Sequence, residues 1–384
     1  MMQWRVPLFD PDLGEAETQA VTSVICSKWL TMGDRTAELE TRFAAFLGSR
    51  HAVALNSCTA ALHLALLGVG VEPGDDVVCP SLTFVATANA IRYCGAQPVF
   101  ADVASLDNWN VSRATLEAVV TPQTKALIVV HYAGFPCDMP AIMTFAQSRG
   151  LAVVEDSAHA PGACLDGKAA GTWGDCGCFS FFSNKNMTTG EGGMLLTDQD
   201  AVAERIIRLR SHGMTTLTLD RYKGHAFSYD VLDLGYNYRM GELNAALGLA
   251  QLAQLTIRNQ QRRLCVERYW QHLFAIPALS MPFQQAPGQS AYHLMPILLP
   301  PGCERQRVMA TMQAAGVQTS IHYRPIDTFT AYVEAGLGPG QHLVHTHEIG
   351  KRALTLPLYP SMSPKQIDYV CRVLREALDE TRVA

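Results

Sequence analysis

The sequence contains few charged residues and no cluster of like charges. Asp, Glu, Lys and Arg make up 17% of the 384 residues, and the formal net charge is -5. Proteins that bind nucleic acid or anionic membranes carry concentrated basic patches, so neither kind of partner is expected. No apolar run is long enough to span a bilayer, and the opening residues, MMQWRVPLFDPDL, do not form a signal pattern. We therefore expect a cytoplasmic protein that acts on small molecules.

Paired cysteine motifs are also missing. The chain has 11 cysteines, an odd number, scattered among apolar neighbours as at Cys79, Cys94 and Cys371. This distribution is typical of reduced core thiols rather than of a disulfide framework. Cys176 and Cys178 form a C-x-C pair, but no second pair follows at the spacing of a zinc site. The pair is interpreted as part of a strand, and no metal is expected.

Hydrophobic residues are abundant, at 48% of the chain, which indicates both a deep core and a buried subunit contact. From about residue 50 to residue 197, strand-like apolar runs alternate with helical patterns. The strand-like runs are HAVAL, DVVCP, PVFADV, KALIVVHY, LAVVEDSA, GCFSFF and GGMLLT. They lack polar alternation, and helices between them imply crossover connections. The pattern predicts an α/β fold with a mostly parallel sheet covered by helices on both faces.

The last third of the chain has a different pattern. A helical periodicity without proline runs from Gly241 to Leu273, and a proline-rich stretch follows it. Beyond that stretch, HLMPILL, VQTSIHY and flanking helical patterns predict a smaller α+β domain that ends with the helix PKQIDYVCRVLREALDE. We predict two domains: a large α/β domain with the N-terminal segment at residues 1–250, and the connecting helix with the small domain at residues 251–384.

Three predicted strand ends carry residues suited to ligand binding, and in open α/β sheets ligands bind beyond the carboxyl ends of the strands. The first is LNSCTAALHLAL, in which Ser57, Cys58 and Thr59 open a helix. The free N–H groups of a helix start, with a hydroxyl beside them, can bind a phosphate. Simple helix capping by Ser or Thr is the alternative.

The second strand end is VVEDSAHAPGA, where Glu155 and Asp156 follow a buried-looking strand and His159 comes three residues later. A carboxylate in a low-dielectric site can keep a heteroaromatic ring nitrogen protonated, because its charge stabilises the cation at short range. In the alternative interpretation, Asp156 caps a turn and His159 is a hydrogen-bonded interior residue.

The third strand end is FSFFSNKNMTTGEGGMLLT, in which Lys185 follows an apolar strand. A half-buried amine loses hydration, so a usable fraction becomes the neutral nucleophile that condenses with an aldehyde. Gly190, Gly192 and Gly193 let the backbone pass close to a ligand. An ordinary surface lysine in a turn is the alternative. Together the three ends supply a phosphate site, an acid for a ring nitrogen and a Schiff-base amine, which are the groups that pyridoxal phosphate requires.

Longer segments resemble one enzyme family. NSCTAALHLALLGVGVEPGDDVVCPSLTFVATANAIRYCGAQPVFADV, EDSAHAPGA, FSFFSNKNMTTGEGG and GYNYRMGELNAALGLAQL are similar to the sugar aminotransferases of the DegT/DnrJ/EryC/StrS family, a branch of the fold-type I pyridoxal-phosphate enzymes. The resemblance covers nearly the whole chain, from WLTMG at residues 29–33 to LPLYPSMS, which ends at Ser363. It implies a mostly parallel seven-stranded sheet sandwiched by helices, with a smaller C-terminal α+β domain.

The resemblance also implies roles for matching residues. Lys185 would form the Schiff base with the cofactor and later move the substrate proton. Asp156 would pair with the pyridinium nitrogen, and His159, where many relatives have Gln, would lie beside the phenolic oxygen. Phe84 would stack on the cofactor ring, with a core aromatic as its alternative.

The cofactor phosphate is expected to lie among Ser57, Cys58, Thr59 and Ser180. Many relatives have Gly at the position of Cys58, so the contact there would come from the backbone N–H. Asn237 in GYNYRM would reach the phosphate of the neighbouring subunit. This role implies an obligate homodimer with shared active sites, and it accounts for the apolar composition.

Four other residues are expected to contact the amino donor or the sugar, although each could instead be structural: Trp29, Arg239, His322 and Tyr323. The implied reaction moves an amino group from L-glutamate to a keto sugar, most simply a nucleotide-linked (NDP) keto-deoxysugar, in amino-sugar biosynthesis for a surface polysaccharide or a secondary metabolite. Alternatives are an aminotransferase for a cyclic polyol or another carbocyclic ketone, and a non-catalytic regulatory protein that binds the cofactor. The family's dehydratases have histidine where this chain keeps Lys185, which argues against that activity.

Overall fold

The computed structural model describes residues 4–215, 228–340 and 342–382. Up to residue 209 the helices and strands are α1 (Glu15–Ser27), α2 (Asp34–Leu47), β1 (His51–Leu55), α3 (Cys58–Gly68), β2 (Asp76–Pro80), α4 (Ala86–Tyr93), β3 (Gln97–Ala101), α5 (Arg113–Glu117), β4 (Thr124–Val130), α6 (Met139–Arg149), β5 (Ala152–Asp156), β6 (Cys164–Leu165), β7 (Lys168–Ala169), β8 (Cys176–Ser180), β9 (Gly193–Thr197) and α7 (Asp200–Leu209). The remainder comprises α8 (Glu242–Leu273), β10 (Met295–Leu298), α9 (Arg305–Ala314), α10 (Thr330–Glu334), α11 (Val344–Arg352), β11 (Ala353–Leu356) and α12 (Pro364–Arg382).

The main sheet has seven strands in the order β1-β9-β8-β5-β4-β2-β3. The neighbouring strands β3, β2, β4, β5 and β8 all run parallel to one another. Strand β9 runs antiparallel to both of its neighbours, β8 and β1. All seven strands coincide with the apolar runs identified in the sequence. Each strand is largely buried, as the absence of polar alternation requires. The predicted fold class, a mostly parallel seven-stranded sheet flanked by helices, is confirmed.

The strand register brings the three predicted ligand-binding ends to one edge of the sheet. Asp156 at the end of β5 pairs with Val130 of β4 and with Cys178 of β8. Gly193 of β9 opposes Ser180, the last residue of β8, on one side and Leu55, the last residue of β1, on the other. Residues that are far apart in the chain therefore emerge side by side.

The helix predicted at residues 241–273 is the continuous α8, with Gly241 as its N-terminal cap. Its first half packs in a core with α2, and its second half packs in a core with β10, β11 and α12. The predicted boundary between residues 250 and 251 falls inside this helix, and the division into two domains stays a prediction. None of the helices in the described part of the chain combines the length and the apolar character needed to cross a membrane.

The segment VQTSIHY does not form a regular strand, although its pattern suggested one. Val317 makes a single bridge to Val6, and Ser320 makes another to Thr355. The two-stranded sheet of this region is instead β10 paired with β11 in antiparallel register. The pairing of Val6 with Val317 also inserts the N-terminal segment into the C-terminal core.

Candidate active site

A cavity of about 380 Å³ opens at the carboxyl edge of the sheet. It is lined by most of the residues proposed from the sequence: Ser57, Cys58, Thr59, Phe84, Asp156, His159, Ser180, Lys185, His322 and Tyr323. One side of the cavity, the sheet wall, consists of Asp156, Ser180 and Lys185, and another, the C-terminal wall, consists of His322 and Tyr323.

Lys185 lies in a tight loop between β8 and β9. Its backbone N–H donates to the Phe182 carbonyl at 2.9 Å, and Thr189 N–H returns to the Phe181 carbonyl at the same distance. The half-buried side chain lines the cavity. Burial lowers the pKa of its amine to about 8, while the nearby Cys58 and Asp156 act in the opposite direction. Lys185 therefore lies in a cavity rather than on an open surface turn, and its role in catalysis stays a prediction.

Glu155 and Asp156 are adjacent in the chain but point to opposite faces of β5, as alternating side chains on a strand must. Glu155 is fully buried and accepts hydrogen bonds from the N–H groups of Gly171, Trp173 and Gly174 at 2.6 to 2.8 Å. Its Oε2 also lies 2.8 Å from His131 Nε2. Glu155 thus has a structural role, and Asp156 is the carboxylate that lines the cavity.

Asp156 is held in a defined orientation by two hydrogen bonds. Thr87 Oγ1 donates to Oδ2 at 2.8 Å, and the Ala158 N–H donates to Oδ1 at 3.2 Å. Burial raises the pKa of Asp156, whereas these two hydrogen bonds and the charges of Lys185 and His131 lower it. The bond from Ala158 is the turn cap considered above, so Asp156 caps the turn and lines the cavity at once.

Thr87 is a site residue that the sequence reasoning missed. It lies at the start of α4, three positions after Phe84, inside the quoted segment TFVATANA. The only available signal was this proximity, because the contact joins residues 69 positions apart. Thr87 does not itself line the cavity; polar lining residues that were not singled out include Thr83, Asn184 and Glu191.

His159 connects the sheet edge to the C-terminal wall. Its Nδ1 accepts from the Ala133 N–H at 3.3 Å, so a neutral ring carries its proton on Nε2 and donates it to Tyr323 Oη at 3.0 Å. The ring stacks on Tyr323 with a 6.0 Å centroid separation and lies 4.5 Å from the ring of His293. Burial, followed by the charges of Lys185 and His322, lowers the pKa of His159 well below its usual range. His159 is therefore a neutral donor.

The phosphate end of the cavity is the start of α3. Ser57 caps this helix, since its Oγ accepts from the Ala60 N–H at 3.1 Å. The first N–H groups of any helix lack intrahelical partners, and here the cap satisfies only that of Ala60. A Cβ on residue 193 would lie 2.5 Å from the Cys58 nitrogen, so only glycine lets β9 pass this close. Capping and anion binding are compatible at this site.

Phe84 is 57% exposed and lines the cavity. The alternative of a core aromatic is therefore wrong. Its ring centroid lies 6.0 Å from that of Tyr323. His322, the other residue of the C-terminal wall, is fixed by a 2.9 Å contact between Nδ1 and Thr355 Oγ1.

Three predicted site residues do not line this cavity. Asn237 pairs through its backbone with Ser211, and its carbonyl accepts from the Asn56 amide at 3.4 Å. Arg239 bridges to Leu55 at the end of β1. Trp29 is half-buried, with its indole beside Gly33. The roles proposed for these three residues stay predictions.

The residues present fit pyridoxal phosphate. The helix start at Ser57 offers N–H and hydroxyl donors, Lys185 offers an amine, and Asp156 offers an anchored carboxylate across the same cavity. Asn184 Oδ1, a buried atom at the cavity, has no hydrogen-bond partner in the described structure and is free to accept from a ligand. The described residues contain no group of His, Cys, Asp and Glu placed to hold a metal ion. Fold and site together define a fold-type I pyridoxal-phosphate enzyme.

Comparisons with known proteins identify the family. The profile of the DegT/DnrJ/EryC1/StrS aminotransferase family matches residues 11–375. The spore coat polysaccharide biosynthesis protein SpsC of Bacillus subtilis (strain 168) is 40% identical over 376 residues, covering 97% of this chain and 96% of SpsC. The chain belongs to the DegT/DnrJ/EryC1/StrS aminotransferase family.

Solved structures agree with this assignment. The aminotransferase TlmJ from Streptoalloteichus hindustanus has a TM-score of 0.89 at 34% identity, covering 98% of this chain and 99% of TlmJ. The putative sugar aminotransferase Spr1654 from Streptococcus pneumoniae, in its PMP form, has a TM-score of 0.92 at 29% identity, covering 98% of this chain and all of that one. Spr1654 is also known in a PLP form. The predicted enzyme class, a pyridoxal-phosphate-dependent sugar aminotransferase, and the predicted cofactor are confirmed.

Proposed function

We propose that the protein transfers an amino group from L-glutamate to a nucleotide-linked keto-deoxysugar, in amino-sugar biosynthesis for a surface polysaccharide or a secondary metabolite. The observation that carries the proposal is the placement of a low-pKa amine, Lys185, and an anchored carboxylate, Asp156, on one cavity wall. The similarity to SpsC, whose name places it in spore coat polysaccharide biosynthesis, supports the choice of a sugar pathway.

Pyridoxal phosphate supplies an aldehyde and an electron-withdrawing ring. In the proposed mechanism Lys185 has two tasks. With a pKa near 8, a substantial fraction of the amine is neutral at physiological pH and able to attack a carbonyl. Once free, the same Nζ would accept a proton from the substrate carbon as a general base and deliver it to the cofactor as a general acid.

The other residues bind and orient the cofactor. Asp156, fixed by Thr87 and Ala158, stabilises a protonated ring nitrogen. His159 would lie beside the phenolic oxygen of the cofactor, with its Nε2–H bonded to Tyr323 Oη. Phe84 offers an exposed ring face for stacking. Ser180 joins Ser57, Cys58 and Thr59 in holding the phosphate.

We also propose a homodimer with shared active sites. Asn237 lies outside the cavity of its own chain, which fits a role in the partner's site. The preceding segment exposes large apolar side chains, among them Leu234 at 90%, Leu232 at 60% and Val231 at 54%. Such a patch marks a protein contact rather than a solvated surface. Co-expression of Lys185→Ala with Asn237→Ala should restore activity that neither variant has alone, because a mixed dimer then contains one intact site.

The donor and acceptor can be tested separately. The yellow holoenzyme should lose its colour with L-glutamate and regain it when a keto acid is added. The colourless form should then react in single turnovers with nucleotide keto-deoxysugars and not with carbocyclic ketones. A protein that keeps its colour with L-glutamate would contradict the proposed donor, and a preference for a carbocyclic ketone would contradict the proposed acceptor.

A further inference from the structure

We propose that Asp327 is a positioning residue of the active site: its carboxylate fastens the C-terminal wall of the cavity to the strand end that carries Phe84. Asp327 follows Tyr323 by four positions and lies in a short 3-10 turn, Ile326–Thr328. It does not line the cavity. Any effect on the site must therefore pass through its hydrogen bonds.

Asp327 is fully buried and its carboxylate is paired on both oxygens. Ser81 Oγ, just after β2, donates to Oδ1, and His347 Nε2 of α11 lies 2.6 Å from Oδ2. Two backbone bonds reinforce the contact: Ile326 N–H donates to the Ser81 carbonyl at 3.0 Å, and Asp327 N–H donates to Ser81 Oγ at 3.2 Å. Burying a carboxylate is costly unless it is paired in this way, so the arrangement is specific.

Ser81 is in turn linked by hydrogen bonds to the segment that orients Asp156. Thr83 N–H donates to the Ser81 carbonyl at 3.1 Å, and Thr83 Oγ1 lies 3.2 Å from Thr87 Oγ1. Because the Thr87 hydroxyl gives its proton to Asp156, it accepts from Thr83. Hydrogen bonds linked through Ser81 and Thr83 thus connect Asp327 to Asp156. The hydrogen bonds of Asp327 with Ser81 and His347 form a clamp between the segments of Phe84 and Tyr323, whose ring centroids lie 6.0 Å apart.

The chain contains a matched control for the clamp. Asp102, at the end of β3, is also buried and also bonds to α11: it accepts from the N–H groups of Thr346 and His345 at 2.8 and 3.0 Å. Its contacts do not involve Ser81 or the segment of Tyr323. Loss of either carboxylate should lower thermal stability, but only loss of Asp327 should weaken cofactor binding in the cavity.

The experiment compares Asp327→Ala with Asp102→Ala. In Asp327→Ala, hydrogen exchange of the Ile326 amide should be at least about tenfold faster. The Kd of the apoprotein for pyridoxal phosphate should also rise about tenfold, a change that corresponds to the loss of one hydrogen bond to a charged group. In Asp102→Ala both values should stay within about twofold of wild type, within the error of such free energies. Both readouts are independent of the identity of the sugar and of the donor.

Two milder variants keep the proposal testable if Asp327→Ala does not fold. Asp327→Asn retains an acceptor for Ser81 and should recover most of the cofactor affinity, whereas Ser81→Ala should lose it in part. Equal changes in cofactor affinity in Asp327→Ala and Asp102→Ala, or unchanged affinity in both Asp327→Ala and Ser81→Ala, would overturn the proposal and leave Asp327 a purely structural residue.

Discussion

The two named walls of the cavity are built in different ways. On the sheet wall, Asp156 and Ser180 end neighbouring strands whose positions are fixed by a backbone ladder. On the C-terminal wall, Tyr323 is held by a side-chain bond to His159, 164 positions away, and the His322 carbonyl by Tyr132, 190 positions away. Of the groups proposed for chemistry, Asp156 thus lies at the end of a paired strand and Lys185 in the tight loop that joins β8 to β9, whereas the C-terminal wall is held by side-chain contacts. This division matches the precision that catalysis requires of its reacting groups.

The largest effect should come from the sheet wall. Lys185→Ala should fold normally but lose at least about 10³-fold in transamination rate, because no other lysine among the described residues lines the cavity to carry the proton. Thermal unfolding and steady-state assays would measure the two properties together. Retention of more than a trace of activity would remove Lys185 from the centre of the account.

The next effect distinguishes two adjacent carboxylates on one strand. Asp156→Asn should slow the reaction by about 10² to 10³-fold with little change in melting temperature, as for other preorganised charges in active sites. Glu155→Gln should lower the melting temperature but change the reaction rate little, because Glu155 accepts hydrogen bonds from three backbone N–H groups and contacts His131. Its loss should cost about 1–3 kcal/mol of unfolding free energy. If Glu155→Gln slowed the reaction as much as Asp156→Asn, the assignment by strand face would be wrong.

The pH dependence of cofactor capture should report the lowered pKa of Lys185. Below pH 8 the amine is mostly protonated, so the rate at which the apoprotein captures pyridoxal phosphate should fall about tenfold per pH unit. Above pH 8 the rate should level off, because the amine is already neutral. Stopped-flow absorbance would follow the reaction. A rate that kept rising to pH 10, as for an exposed lysine, would show that the amine is not desolvated.

The smallest effect should come from the C-terminal wall. Tyr323→Phe removes the partner of His159 Nε2 but keeps the stacked ring, so kcat/KM should fall about three- to tenfold, the cost of one neutral hydrogen bond. Tyr332→Phe is the control, because its hydroxyl bonds to Asn89 Oδ1 instead and Tyr332 does not line the cavity. A loss in Tyr323→Phe as large as in Asp156→Asn would place chemistry on both walls and end the distinction between them.

The strands of the sheet wall were predictable from local sequence patterns, whereas His322 and Tyr323 of the C-terminal wall were expected at the site only from the family resemblance and their contacts were not predicted. Burial on both faces leaves an uninterrupted apolar run for each strand, as in HAVAL and KALIVV, and the parallel topology then brings the strand ends together. By contrast, the contacts of Tyr323 with His159 and of Thr87 with Asp156 join residues far apart in the chain, and no local pattern encodes them. The same limit explains the misreading of VQTSIHY, whose partner Val6 lies at the other end of the sequence.

The central claim is that the side chain of Lys185, and no other amine of the protein, is joined to the cofactor aldehyde. Borohydride reduction of the yellow holoenzyme followed by peptide mapping tests this claim most directly. The account predicts one pyridoxyl label per chain, on Lys185 within FSFFSNKNMTTGEGG. A label on any other lysine, or none after complete loss of the yellow colour, would contradict it.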